Sequence, residues 1–141
     1  VIGEGEHRAA LEFASYQLGI NGRVCFLGAV PHDQVIRHLQ WADIFLHPSV
    51  SEGFCNAVIE AQAVGLPVVC TDADGLPENV ADGITGFVVP RRDSIKLAEK
   101  LTLLISDPNL RLTLGEAGRK RVMEKFQLDE QKEAFHNFFV I

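Results

Sequence analysis

Short apolar runs alternate along the chain with longer stretches in which apolar positions recur every three or four residues. Val1-Ile2 reads as the end of a strand. Gly3-Glu4-Gly5 then turns the chain into a helix over 7–18, with Ala10, Leu11, Ala14 and Leu18 on its apolar face. Gly19 stops that helix. Residues 23–27 form the next strand, closed by Gly28, and Pro31 opens a short helix that ends near Trp41. A strand over 43–48 sets Ile44 and Leu46 on one side and Phe45 and His47 on the other. A helix over 56–64 ends at Gly65. Residues 67–71 read as a strand buried on both faces, as in parallel sheets, and 86–89 as a short final strand. Asp93 caps a helix with Ile95, Ala98, Leu101 and Ile105 on one face. Asp107-Pro108 opens another in the same manner, and 129–139 form a last amphipathic helix.

Four or five alternations of strand and helix with short connections specify a doubly wound, Rossmann-like α/β fold, a parallel sheet with helices on both faces. The chain is read as a single domain over 1–141. In such sheets ligands bind beyond the carboxyl ends of the strands, which points to the loops after Ile2, Leu27, Pro48 and Thr71. With 141 residues, 47% hydrophobic and 23% charged, the chain has the composition of an ordinary globular domain with one core. Its net charge of -6 argues against a nucleic-acid binder, which needs clustered cations to displace phosphate counterions. No apolar run approaches the roughly 20 residues of a membrane span. Cys25, Cys55 and Cys70 are widely spaced and form no CxxC pair, so they read as buried thiols of a reduced, cytoplasmic protein. The chain opens on Val1-Ile2-Gly3, which suggests a piece of something longer.

The loop from Pro48 carries the chemistry. Ser51-Glu52-Gly53-Phe54-Cys55 leads straight into a helix beginning Asn56-Ala57. Backbone N–H groups from about Phe54 to Ala57 point out of the helix start and, with the helix dipole, suit a phosphate or pyrophosphate. Gly53 lets the backbone approach a ligand without a Cβ in the way. Glu60 shares a face with Asn56 by i,i+4 spacing. A carboxylate repels phosphate, so its fitting partner is the vicinal diol of a ribose, from which it accepts two hydrogen bonds. Glu52, at the loop mouth, faces whatever lies beyond the phosphates.

Glu52 and Glu60, with seven residues between them, stand in Pro-Ser-x-x-Glu-Gly-Phe and are followed by Glu-Ala-x-Ala-x-Gly-x-Pro-Val-Val. This segment resembles the group 1 glycosyltransferases, retaining enzymes of the two-domain GT-B fold. Val1-Ile2-Gly3-Glu4-Gly5, Phe26-Leu27-Gly28 with Val30-Pro31, Ala42-Asp43 with His47-Pro48-Ser49, and Asp82-Gly83-Ile84-Thr85-Gly86-Phe87 extend the likeness along the chain. The resemblance implies the C-terminal donor-binding domain, N-terminally truncated, of an enzyme that binds a nucleotide-diphosphate sugar. It implies retaining transfer of a hexosyl group to a glycan or lipid-linked acceptor, as in polysaccharide biosynthesis, with no cofactor and no bound metal. By the same resemblance Glu60 holds the ribose and Glu52 contacts the donor sugar near the reacting carbon. Gly53, Phe54, Cys55, Asn56 and Ala57 line the sugar and diphosphate, and Gly28 and Val30 border the base.

Two positions depart from the family pattern. Cys55 stands where glycine is frequent, and Ala73-Asp74-Gly75 stands where a Gly-Gly pair is favoured, which places Asp74-Gly75 away from phosphate contact. An arginine and a lysine that neutralise the diphosphate in the family would precede Val1, as would the acceptor-binding domain. The isolated chain is therefore expected to turn over little substrate.

Other residues have plainer readings. Cys55 is read as a small packing residue rather than a reactive thiol, His47 as packed or capping beside the site with donor contact as the alternative, and Trp41 as packing behind the sheet rather than stacking on a base. Arg91-Arg92 and Arg119-Lys120-Arg121 are solvated helix faces; attraction to an anionic membrane surface is their alternative and would suit a lipid-linked acceptor. The rival assignments are a catalytically inactive GT-B-like binding module and a phospho-receiver-like signalling domain. The receiver needs an acidic cluster that Pro48-Ser49 does not supply.

Overall fold

The computed structural model describes residues 1–126. The helix expected over 129–139 lies outside the described residues. The chain divides into two compact units, Val1–His38 and the remainder from Leu39.

The first unit contains α1 (Arg8–Gln17), a 3-10 turn at Asn21–Arg23 and the greater part of α2 (His32–Trp41). The two strands expected in this unit reduce to a single parallel bridge between Ile2 and Gly28, supported by the Gly3 amide on the Gly28 carbonyl at 2.8 Å. The Arg8 guanidinium ties α1 down, donating to Glu4, Glu12 and the Phe26 carbonyl. The apolar face expected for α1 is not covered: Ala10, Leu11, Ala14 and Leu18 are all exposed, and only Ser15 is buried. Thirty-eight residues present too little surface to enclose that face within their own unit.

The second unit carries a three-stranded, fully parallel sheet, β1 (Phe45–His47), β2 (Val68–Thr71) and β3 (Gly86–Val89), in the order β1-β2-β3. Every residue of β2 is buried, as its unbroken apolar run predicts. Val69 and Phe87 meet Leu104 of α5 (Ser94–Ser106) and Leu114 of α6 (Pro108–Lys125) in one core cluster, flanked by Ile44, Leu97, Leu101 and Leu110. Val68 and Cys70, on the opposite side of β2, are equally buried, and α3 (Asn56–Ala63) and α4 (Leu76–Asn79) pack against that strand. Helices thus cover both faces, the doubly wound arrangement.

Caps set the helix ends. The Asp93 and Asp107 carboxylates accept from the Lys96 and Leu110 amides at 2.9 and 3.0 Å. At the end of α3, Gly65 has φ +87°, with Gly65 N–H on the Gln62 carbonyl and Leu66 N–H on that of Ala61. This paired closure needs a left-handed residue, which glycine adopts without Cβ strain.

Three expectations need correction. The side of α5 that meets the core carries buried Leu104 with half-buried Leu97 and Leu101, whereas Ile95, Ala98 and Ile105 are exposed. Two apolar stripes fit the helical period, and only packing on Val69 and Phe87 selects between them. Trp41 is 85% exposed and packs behind no sheet. Cys25 is exposed, unlike the buried Cys55 and Cys70; burial pushes the Cys70 thiol up to about 12.

Candidate functional site

At the carboxyl ends of β1 and β2 two loops meet. The chain leaves β1 at His47, runs through 48–55 and enters α3, with Cys55 in the N-cap position. Thr71, the last residue of β2, donates its hydroxyl to the Ser49 carbonyl. The Glu52 amide and the Ser51 hydroxyl both donate to Asp74 Oδ2, at 3.2 and 2.9 Å, and the Gly75 amide donates to the Glu52 carbonyl at 3.0 Å. A Cβ on Gly75 would lie 2.5 Å from the Gly53 carbonyl oxygen, so the close approach of the loops requires glycine at 75. Gly53 has open space where its Cβ would be, which suits approach by a ligand.

Arg91 closes this construction. Its guanidinium donates to the Asp72 and Val50 carbonyls at 2.7 and 3.2 Å and pairs with the Asp72 and Asp74 carboxylates at 3.3 and 3.4 Å. The expected solvated helix face is thus incorrect for Arg91, which lies in the turn before α5 and ties three segments together. Hydrogen bonds from the Arg91 amide hold Asp72 below the usual carboxylate range, and the Ser51 hydroxyl does the same for Asp74. The Arg91→Met variant should leave global unfolding almost unchanged, because exposed ion pairs contribute little. Amide exchange at 50–53 and 73–75 should become about tenfold faster, since those loops lose their tie. Unaltered exchange there would assign the loop order to Thr71 and Gly75 instead. Acid should loosen the same segments. The two aspartates bind fewer protons folded than unfolded, so their contribution is complete above the usual carboxylate range and lost as pH falls through their lowered values.

His47 Nε2 lies 3.0 Å from Glu52 Oε2 and 3.5 Å from Cys55 Sγ. The Phe45 ring stacks on the His47 ring, with centroids 6.0 Å apart and planes 8° from parallel. Burial pushes the Cys55 thiol up, with Glu52 and Glu60 adding to the rise and the Val58 and Ala57 amides opposing it. That environment suits a packing residue and disfavours a reactive thiolate. These three side-chain atoms of His47, Glu52 and Cys55 all lie within 4.8 Å of one another, the one group of His, Cys and acidic residues with metal-ligand spacing among the described residues.

Of the amides assigned to a ligand, that of Cys55 is already used: it donates at 3.0 Å to Oδ1 of the fully buried Asn79. Those of Phe54 and Asn56 have no hydrogen-bond partner among the described residues, and the Ala57 amide lies against the Cys55 sulfur. Glu60, one turn along α3, is half-buried and also without a hydrogen-bond or ion-pair partner among the described residues. Phe54 packs its ring on Phe126 at 5.5 Å, beneath the Arg121 guanidinium, which donates to the Glu78 carbonyl at 2.8 Å. Arg121 is therefore another basic residue read as solvated that holds structure in place. Glu78 itself is exposed.

The loops after Pro48 and Thr71 thus meet. Gly28 and Val30 belong to the first unit, where Gly28 is buried with φ +73° and Val30 is half-buried. Asn79 carries no motif, Arg91 is read only within a short basic pair, and α4, on which Asn79 sits, lies between the expected strands over 67–71 and 86–89, where no element is expected. A cavity of about 370 Å³ between Ala42, Leu66 and Pro108 opens at the amino-terminal end of the strands, away from this cluster.

Residues 1–121 match the family described as glycosyl transferases group 1. The chain is 35% identical over 150 residues to the capsular polysaccharide biosynthesis glycosyltransferase CapM of Staphylococcus aureus, covering 99% of the chain and 37% of CapM. It is 33% identical over 144 residues to a GDP-mannose-dependent monoacylated alpha-(1-6)-phosphatidylinositol monomannoside mannosyltransferase of Corynebacterium glutamicum, covering 97% of the chain and 37% of that protein. The structure of Anabaena HepE in complex with UDP-glucose superposes with a TM-score of 0.88 at 26% identity, covering 99% of the chain and 40% of HepE. The chain spans about a third of the length of the curated relatives it matches. It belongs to the group 1 glycosyltransferases, whose GT-B fold its parallel sheet and flanking helices share.

Proposed function

We propose that this chain supplies the donor site of a retaining glycosyltransferase that moves a hexosyl group from a nucleoside diphosphate sugar to a glycan or lipid-linked acceptor. The observation that carries the reading is Glu60, a half-buried carboxylate with no partner among the described residues, one turn beyond helix-start amides that are also unpartnered. Two ribose hydroxyls would satisfy the carboxylate, and the Phe54 and Asn56 amides would meet diphosphate or sugar oxygens. Glu52, positioned by His47 and by the Asp74 tie, would contact the donor sugar near the reacting carbon. Charge developing on the leaving diphosphate would be met by the same amides and the α3 dipole, so the reaction as proposed needs no resident cofactor or metal.

The names of CapM and of the mannosyltransferase support a polysaccharide or lipid-linked acceptor, and transfer as proposed takes place in the cytoplasm, at the inner face of a membrane. Among the described residues no helix is long and apolar enough to cross a membrane. The HepE complex supports a uridine donor and the mannosyltransferase a guanosine one. Titrating the labelled chain with UDP-glucose and with GDP-mannose, chelator present, tests the reading. Amides from Phe54 to Glu60 should shift with one of them, and amide shifts at Gly28 and Val30 would support their place beside the base. Saturating concentrations of both donors that leave residues 54–60 unmoved would sink the proposal.

A further inference from the structure

We propose that His47, Glu52 and Cys55 form a three-ligand site for a thiophilic divalent cation, zinc above all, whose occupancy withdraws Glu52 from the donor sugar. The ligand set is one imidazole nitrogen, one carboxylate and one thiol, the borderline-soft combination that zinc favours over magnesium or calcium. The spacing fits. Zinc bonds of roughly 2.0–2.3 Å in a tetrahedral arrangement separate ligand atoms by roughly 3.3–3.6 Å. His47 Nε2 stands 3.5 Å from Cys55 Sγ and 3.0 Å from Glu52 Oε2, with all three atoms inside 4.8 Å, so an ion enters with small side-chain shifts.

The ligands are held before any ion arrives. His47 ends β1 with its ring stacked on Phe45, Cys55 is the N-cap residue of α3 with its amide fixed by buried Asn79, and Glu52 sits in the loop tied to Asp74. Binding replaces the Cys55 S–H bond by a sulfur–zinc bond and releases the proton to solvent, while the carboxylate and thiolate together neutralise the ion. Three protein ligands leave the fourth position to water. The ion takes no part in transfer; it competes for the carboxylate that the sugar needs. That consequence rests on the proposed role of Glu52, whereas the ligand set does not.

Cobalt(II) titrated into the whole chain tests the site, in a Cys25→Ser background that removes the exposed thiol. A near-ultraviolet thiolate-to-cobalt charge-transfer band with tetrahedral visible bands should appear and be bleached by zinc. Cys55→Ser should abolish the charge-transfer band, and His47→Gln should weaken metal affinity about 100-fold, at least the loss produced by removing an outer-shell partner. Absence of the band in folded protein, checked by circular dichroism, or a band that survives Cys55→Ser, would overturn the site. Zinc should also lower affinity for the nucleoside diphosphate sugar but not for the free nucleoside diphosphate, which contacts Glu60. A Cys55-dependent band without this antagonism would uphold the ligand set and overturn the role of Glu52 at the sugar. The nucleotide contact, measured with chelator present, stands or falls separately.

Discussion

Replacing Glu60 by alanine is expected to weaken nucleoside diphosphate binding by about ten- to a hundredfold while leaving stability within about 0.5 kcal/mol of the parent chain. The two halves of this result have one cause. Glu60 makes no hydrogen bond or ion pair with the described residues, so its removal deprives the folded state of no polar contact among them. A charged hydrogen bond to a diol is worth about 1.5–3 kcal/mol, which is the size of the affinity loss. A Glu60→Gln variant, which keeps shape and one acceptor but removes the charge, should fall between the two. Calorimetric titration paired with urea unfolding reads both quantities. An affinity change below about twofold would remove Glu60 from the ribose, and a large stability loss would mean that it has a structural partner instead.

Asn79→Ala is expected to do the reverse, lowering stability by about 2–3 kcal/mol. The Asn79 side chain is fully buried and its Oδ1 is the acceptor for the Cys55 amide, at the N-cap of α3. Alanine leaves that amide without a partner in a place water does not reach and adds a small cavity. Asn79→Leu restores volume but not the acceptor, so it should recover little. A shift of the urea midpoint at unchanged slope is the measurement. If leucine recovered most of the loss, packing and not the hydrogen bond would be the contribution of Asn79. Because the same bond orients the helix start, both variants should also weaken nucleotide binding, by less than Glu60→Ala does.

Legibility along the chain followed how local each cause is. The caps Asp93 and Asp107, the glycine closure at Gly65 and the buried run of β2 depend on neighbours within a few residues, and the structure places each where the pattern does. The core-facing stripe of α5 was not legible, because two stripes satisfy the helical period and partners in β2 and β3 make the choice. The first two strands shrank to a bridge because strand pairing needs a neighbour, not only apolar residues. At the site, Glu52 and Glu60 stood out through their framing, whereas Arg91, Asp72, Asp74 and Asn79 did not. They act on segments 17 to 41 residues away, where one sequence holds no periodic or spacing signal.

What the sequence determined by itself was a parallel α/β fold and a loop-to-helix segment bearing two carboxylates eight positions apart, since period, turn chemistry and motif are properties of contiguous residues. Only the tertiary structure decided which of those groups remain available. It consumed the Cys55 amide in a bond to Asn79, left Glu60 without a partner among the described residues, tied Glu52 to Asp74 and set His47 and Cys55 beside it. Availability is a property of three-dimensional neighbours, because a polar group in a folded chain is either satisfied within it or left to water or a ligand.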